Sequence, residues 1–402
     1  MSGTPLARNA AVQKPLPFAL LLPLLLAAQP VATDSYLPAL PAIAHALGSA
    51  SASLTVFVLA FGIAQLMCGP LADRWGRRPL LLLGLGCYVI AALGSAAAFN
   101  VPMLVACRAL QGAAMAAVLV CSRAAVRDLY APQDGLHVMA RGLTGLGVVA
   151  LAAPLLGAWV VQLAGWRWVM VMMAVYAAAL WVLCWRGFAE TRPPGRSGTA
   201  PQGSVREVFA SRSFRIWASV AACTYGGIFC FLLLSPMVYI EYLGLSPALY
   251  GWIPAGGSLV YIGSTLACRK LLYRWGPLRT VRLGASLSLA GASIQALGCL
   301  LAPYAVWPLL LGHAVYVLGH GIHQPCGQAG AVADLPQQAG RAVSWSGFGM
   351  MAAAFCVGQV AAQFVDAQFS HGAWPMVAPM LLAGVLLMAI AWWRLPRLYA
   401  AR

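Results

Sequence analysis

The stretch GPLADRWGRRPLLLLG, residues 69–84, places four charged side chains between two apolar runs. Asp73, Arg74, Arg77 and Arg78 carry the charges, and the chain becomes apolar again directly after them. A short charged cluster between two apolar runs is typical of a loop that joins two membrane-spanning helices at the lipid surface. The stretch therefore predicts a chain that crosses a membrane more than once.

The composition supports a membrane protein. The chain has 402 residues, of which 61% are hydrophobic and 8% are charged, whereas soluble domains carry roughly a quarter charged residues. The net charge of +16 would suggest nucleic-acid binding in a soluble protein, but in a membrane protein it reports topology. The eleven cysteines show no paired spacing, so we expect neither a disulfide framework nor a metal site.

Twelve apolar segments are long enough to span a bilayer. They are 16–40, 53–72, 79–98, 102–127, 139–162, 167–187, 213–240, 247–269, 280–302, 305–329, 342–365 and 371–394. The long polar segment 188–212 divides them into two sets of six. We predict an all-α protein with twelve transmembrane helices in two pseudo-symmetric bundles, residues 1–187 and 213–402, joined by a cytoplasmic linker at 188–212.

The basic residues orient these spans. If the N-terminus is cytoplasmic, every Lys and Arg except Arg108, Arg123 and Arg167 lies at or near the cytoplasmic side. This is the positive-inside pattern, and it predicts that both termini are cytoplasmic. The tripeptide RWG occurs at 74–76 and again at 274–276, after the second span of each half, which indicates a duplicated six-span unit.

The opening stretch resembles the signature loop of the major facilitator superfamily. The matching residues are Gly69, Leu71, Ala72, Asp73, Arg74, Gly76, Arg77, Arg78 and Leu81. The resemblance implies the major facilitator fold and a loop that latches the two halves when the transporter faces outward. It also implies that Asp128, in the sequence VRDLY, is the partner carboxylate of Arg77. Asp73 is expected to pair with a neighbouring arginine or to cap a helix of the other half.

Four further segments resemble the drug:proton antiporters of the bicyclomycin-resistance (Bcr/CflA) type. They are TDSYLPALPAIA at 33–44, LVACRALQGAAMAA at 104–117, AAPLLGAW at 152–159 and SPMVYIEYLGLSP at 235–247. The resemblance implies that Pro154 and Gly157 belong to the antiporter motif of the fifth span. The motif usually has glycine at the places held here by Ala153 and Ala158. It further implies a multi-pass protein of the bacterial inner membrane.

Asp34 and Arg108 are the candidates for proton coupling. Asp34 is the only acidic residue deep in an apolar span of the first half, and such a charge costs at least ~2.5–3.5 kcal/mol to insert. Arg108 lies about six residues, or ~9 Å, inside the outer end of the fourth span, so the two side chains are expected to share a level. Burial and a nearby arginine act in opposite directions on a carboxyl's affinity for protons. Changes in their separation would therefore bind and release a proton.

A larger set of residues is predicted to line the central cavity. Large apolar and aromatic walls with few fixed polar groups favour varied amphipathic substrates. The set comprises Tyr36, Gln111, Met115, Tyr225, Phe229, Tyr239, His320 and His323. His320 and His323 are three residues apart and so share a helix face. Either they relay protons or contact a substrate, or they make an ordinary helix-to-helix hydrogen bond.

The sequence predicts proton-driven export of small organic compounds by alternating access, with the proton as coupling ion and no resident cofactor or metal. The expected partners are a small-molecule substrate, protons and the lipid bilayer, and the chain is expected to act as a monomer without enzymatic activity. The alternative is a carrier of a metabolite such as an amino acid on the same fold. A sugar carrier is disfavoured because the spans contain few Asn and Gln residues, and nothing in the sequence favours a channel, a sensor or a membrane enzyme.

Overall fold

The computed structural model describes residues 18–48, 50–192, 204–365 and 369–399. Its long helices are labelled α1 to α12 in chain order. They span Phe18–Thr33, Ser51–Trp75, Arg77–Ala96, Val101–Leu129, Pro132–Ala164, Trp166–Gly187, Arg212–Pro236, 247–275, 277–301, Val306–Ala333, Ala339–Ala362 and Trp374–Ala389. Shorter helical segments are Leu37–Ala39, Leu40–Leu47, Val205–Ala210, Met237–Tyr242, Pro336–Gln338, Ile390–Arg394 and Leu395–Tyr399.

Each predicted span overlaps one of these long helices. Within the described ranges, ten helical stretches are long and apolar enough to cross a membrane. One of them, Pro247–Leu301, holds both α8 and α9, because Gly276 interrupts the helical backbone. Helix α10 is not among the ten, since its three histidines lower its mean hydropathy. The prediction of a twelve-helix membrane protein is confirmed.

The repeated RWG sequence has a repeated backbone conformation. Gly76 has a φ of 99° and Gly276 a φ of 72°, both in the left-handed region that glycine enters without a steric penalty. Each glycine separates the second helix of its bundle from the third. The two halves therefore share the geometry of this loop as well as its sequence.

The first span is not one continuous helix. Helix α1 ends at Thr33, and a turn at 34–36 leads into Leu37–Ala39 and the short helix Leu40–Leu47. Pro38 has no N–H to donate to the carbonyl of Asp34 four residues earlier, so the α-helical ladder cannot continue through this position. Asp34 thus lies in a break of the span rather than inside a regular helix.

The helices pack as two six-helix bundles. In the first, α4 packs against α2 and α3, and α1 packs against α5. In the second, α10 packs against α8 and α9, while α7 contacts α10, α11 and α12. The bundles meet chiefly along two pairs, α2 with α11 and α5 with α8. Large apolar side chains such as Leu163 and Leu301 remain exposed on the outside, where the bilayer covers them.

The predicted linker contains a helix that the sequence did not indicate. Val205–Ala210 is helical, and Val208 is buried against the second bundle. Residues 193–203 of the linker lie outside the described residues, and the domain limits at 188 and 212 stay a prediction.

Candidate functional site

Arg77 is the centre of the signature loop. It begins α3, and its side chain is 5% exposed. Nε and Nη2 lie 2.8 Å from Asp128 Oδ2 and Asp73 Oδ1, respectively, and Nη1 donates to the Ala72 carbonyl at 2.6 Å. The guanidinium therefore joins the ends of α2 and α4 to the start of α3. The contact with Asp128 is the one that the family resemblance implied, while its part in a transport cycle stays a prediction.

Glu190 completes this loop, and sequence reasoning missed it. Its carboxylate accepts hydrogen bonds from the backbone N–H groups of Arg77 at 2.9 Å and Arg78 at 3.2 Å. It also accepts from the N–H groups of Thr191 and Arg192. Glu190 is thus an anion at the N-terminus of α3, where free N–H groups favour negative charge. The available signal was its rarity, because the chain has only nine acidic residues.

The pKa of Glu190 reflects two opposing influences. Partial burial raises the pKa of this carboxyl, but the four N–H donors, from Arg192, Arg77, Arg78 and Thr191, outweigh burial and leave the pKa below its ordinary value. Glu190 therefore holds its charge firmly while it caps the helix.

The other residues of the signature loop have separate contacts. Arg78 Nη2 donates to the Trp185 carbonyl of α6 at 2.8 Å, whereas Arg74 is exposed. Gly69 does not serve a close helix approach, because no neighbouring atom stands within 4 Å of where its Cβ would be. Asp73 pairs with Arg77 instead of capping a helix of the second bundle. Among the described residues, the hydrogen bonds and ion pairs of residues 73–78 stay on the first-bundle side.

Arg108 is fully buried in α4 and lies between two aromatic rings. Its guanidinium carbon is 4.2 Å from the centre of the Tyr36 ring and 4.4 Å from that of Phe57. Nη1 donates to Gln111 Oε1 at 2.6 Å, and Nη2 donates to the Ala32 carbonyl at 3.2 Å. Cation–π contacts and hydrogen bonds thus stabilise a charge that burial alone would disfavour.

Asp34 and Arg108 lie at the same depth along their helices, but the two described side chains form no ion pair with each other. The Arg108 guanidinium bonds to the carbonyl of Ala32, two residues before Asp34. Asp34 Oδ1 instead accepts from Thr33 Oγ1 at 2.7 Å, and its side chain is partly exposed.

The predicted cavity residues do not line an open chamber in this conformation. Seven of the eight are buried, namely Tyr36, Gln111, Met115, Phe229, Tyr239, His320 and His323. Tyr225 is partly exposed and stacks on Phe229 with ring centres 6.4 Å apart. Tyr239 packs instead among the rings of Phe231 and Tyr250.

The α10 histidines point to different neighbours. His320 Nδ1 lies 2.9 Å from Thr224 Oγ1 of α7, and its ring contacts Tyr261 of α8. His323 Nε2 lies 3.3 Å from the Val281 carbonyl of α9. Both therefore make helix-to-helix hydrogen bonds within the second bundle, which is the second of the two predicted alternatives.

Pro154 and Gly157 lie in α5 where the two bundles meet. A Cβ on Gly157 would collide with the backbone of Ser35, next to Asp34. On the opposing helix, a Cβ on Gly251 would stand 3.2 Å from the Pro154 carbonyl. The motif thus brings α5 against both α8 and the Asp34 turn. A second contact between the bundles is the hydrogen bond of Thr55 Oγ1 in α2 to Gln359 Oε1 in α11, at 2.9 Å.

The chain is similar in sequence and in fold to known membrane transporters. A family model described as the Major Facilitator Superfamily matches residues 24–358. The chain is 29% identical over 373 residues to the chloramphenicol resistance protein of Pseudomonas aeruginosa, covering 89% of this chain and 86% of that one. It is 26% identical over 372 residues to the bicyclomycin resistance protein homolog of Haemophilus influenzae, covering 90% and 92%. The solved xylose transporter XylE from E. coli shares the fold, with a TM-score of 0.71, 14% identity and coverage of 92% and 98%.

Proposed function

The chain belongs to the major facilitator superfamily, and from that premise we propose that it exports small organic compounds, drugs among them, in exchange for protons. The resemblance to the drug:proton antiporters is confirmed by relatives named for chloramphenicol and bicyclomycin resistance. Two bundles that rock about a midplane site give such a carrier its alternating access.

The observation that carries the proposal is the position of Asp34. This carboxyl lies at the break of the first span and at the level of the buried Arg108. The adjoining segment Leu37–Ala39 contacts α5, α7 and α8. An ionisable group at this meeting point changes its surroundings whenever the bundles move, so its proton affinity is coupled to their position.

Proton exchange supplies enough free energy for export. A pH difference of one unit provides ~1.4 kcal/mol per proton. A membrane potential of 100 mV adds ~2.3 kcal/mol for each charge that moves. Together they are enough to concentrate a solute more than a hundredfold per proton, since each ~1.4 kcal/mol corresponds to a factor of ten.

The proposal includes a cellular setting. The protein resides in a bacterial inner membrane with both termini in the cytoplasm, and it acts as a monomer that needs protons but no resident cofactor. The near-complete placement of Lys and Arg on one side supports this orientation. The alternative substrate is a small metabolite such as an amino acid, carried on the same fold.

The test is transport in proteoliposomes that contain the purified full-length protein. An imposed pH gradient should drive uphill movement of compounds from a panel of antibiotics and amino acids, and a protonophore should abolish it. If only amino acids accumulated, the protein would be a metabolite carrier and not a drug exporter. Uphill transport that ignores the pH gradient would overturn proton exchange.

Asp34→Asn tests the coupling residue directly. This variant should lose uphill transport but retain substrate binding and facilitated diffusion. Asp134→Asn is the matched control, because Asp134 is an exposed carboxylate in the first turn of α5 and should transport like the unmodified protein. An Asp34→Asn variant that still pumps uphill would remove Asp34 from the coupling role.

A further inference from the structure

An ion pair joins the two bundles at their outer ends. His45 Nε2 lies 3.1 Å from Glu241 Oε1. His45 is in the last turn of the short helix Leu40–Leu47, which follows α1 in the first bundle. Glu241 is in the π-helical turn Met237–Tyr242, which follows α7 in the second bundle. Because α1 and α7 are the first helices of their bundles, the pair links equivalent places in the two halves.

The other ionisable groups near this pair have partners elsewhere. The helix Leu40–Leu47 also contacts α6, but Arg167 of α6 donates to the Ala98 carbonyl and stacks on Trp166.

The groups near Glu241 are engaged elsewhere as well. Tyr242 packs against the ring of Tyr304, and His371 of the neighbouring outer segment packs against Phe364. Among the described residues, His45 is therefore the one charged partner of Glu241 in the structure.

Outward opening must break this pair. The outer ends of α1 and α7 belong to different bundles, and an outward-open carrier separates those ends to admit solvent. Histidine gains and loses its proton between pH 5 and 8, so it is the side chain whose charge follows physiological acidification. The attraction to Glu241 is fully present only when His45 is protonated.

We propose that His45 and Glu241 form an outer gating pair, in which acidification of the outer side holds the bundles together there and favours the outward-closed conformation. Closure of the outer side at low pH is the direction that would help proton exchange, and this statement of its benefit rests on the proposed function. An antiporter returns inward with a proton taken from the acidic side, and the same acidity promotes closure behind it. The contact itself depends only on the movement of the bundles.

The effect should be modest. The His45 side chain is 71% exposed and that of Glu241 is 27% exposed, and exposed ion pairs contribute little because water and salt screen them. We expect protonation to change the ratio of outward-closed to outward-open molecules by about twofold to fivefold. Raised ionic strength should reduce this change.

The experiment measures the outer distance between the bundles at two pH values. A ketone-bearing amino acid at Phe99 and at Pro303, both exposed on the outer side, carries spin labels without modification of the eleven native cysteines. Distances are measured by pulsed electron resonance in lipid nanodiscs without substrate. The Asp34→Asn background removes the other proposed proton site.

At pH 5.5 the ratio of outward-closed to outward-open molecules should exceed that at pH 8 by about twofold to fivefold. Glu241→Gln should remove the pH response, and His45→Lys should keep the closed population high at both pH values. His371→Ala is the matched control and should respond like the parent. The gating pair would be overturned if the distances in the Asp34→Asn parent did not change with pH. It would also be overturned if Glu241→Gln kept the full change of distance with pH. Neither result bears on substrate export, which is measured separately.

Discussion

Arg77 Nε donates to Asp128 Oδ2 at 2.8 Å between the start of α3 and the end of α4, and both side chains are nearly excluded from solvent. The same guanidinium reaches Asp73, whose side chain is 53% exposed. One arginine thus has two acidic partners that differ chiefly in burial, which allows the contribution of burial to be measured within a single loop.

Asp128→Ala should destabilise the protein strongly, because it leaves a buried guanidinium without its buried partner. Loss of one member of a buried pair costs about 3–5 kcal/mol, whereas an exposed pair contributes about 0–1 kcal/mol. Asp73→Ala is therefore the matched control, with a small effect. Thermal unfolding in detergent measures both, and equal destabilisation by the two substitutions would contradict the role assigned to burial.

Glu190→Gln should make stability less dependent on pH. The folded pKa of Glu190 lies below its ordinary value because backbone N–H donors outweigh partial burial. A depressed folded pKa contributes stability above the unfolded pKa, and this contribution is lost as pH falls through the folded pKa. The unmodified protein should therefore exceed Glu190→Gln in unfolding temperature at pH 7, and the difference should shrink towards pH 4.

Glu207→Gln serves as the control for that experiment. Glu207 is an exposed carboxylate that accepts from Gln338 in the second bundle, and it does not contact the signature loop. The unfolding temperature of the Glu207→Gln variant should change with pH as that of the unmodified protein does. If the unfolding temperatures of Glu190→Gln and the unmodified protein differed by the same amount at every pH, the negative charge of Glu190 would not be the source of its stabilising effect.

Arg108→Lys should lose stability and uphill transport although it keeps the positive charge. A lysine ammonium cannot lie flat between the Tyr36 and Phe57 rings while it bonds to two acceptors, and a desolvated cation–π contact is worth about 2 kcal/mol. Arg123→Lys is the control in the same helix, since that side chain is exposed. Transport and unfolding temperature are measured together, and an unchanged Arg108→Lys variant would mean that charge alone suffices.

The fold was predictable because its signals are local. The order of apolar runs, basic loops and the polar segment at 188–212 along the chain indicated twelve spans and two bundles. The repeated RWG sequence indicated the duplicated loop, and Gly76 and Gly276 share positive φ. Pro38 was visible too, but hydropathy averages over a window and so concealed the break after Thr33.

The site was only partly predictable because its contacts join distant positions. Glu190 is 113 residues from Arg77, and no spacing rule connects a residue after the sixth span with the start of the third. Phe57 lies against Arg108 through the packing of α2 on α4. The directions of His320 and His323 depend on which helices surround α10, which periodicity along one helix does not reveal.

Gly157→Ala should impair the protein through one added methyl group. The new Cβ would overlap the backbone of Ser35, which cannot rotate away as a side chain could, so α5 or the turn that carries Asp34 must shift. Such overpacking costs about 1–3 kcal/mol, and displacement of Asp34 should lower uphill transport severalfold. Gly256→Ala is the control in α8, because no atom stands within 4 Å of its added Cβ. It should be neutral or slightly stabilising, since alanine restricts the unfolded chain more than glycine does. Thermal unfolding and proteoliposome transport measure both variants, and a Gly157→Ala protein that matches Gly256→Ala in both would show that the close approach of α5 to the Asp34 turn is not required.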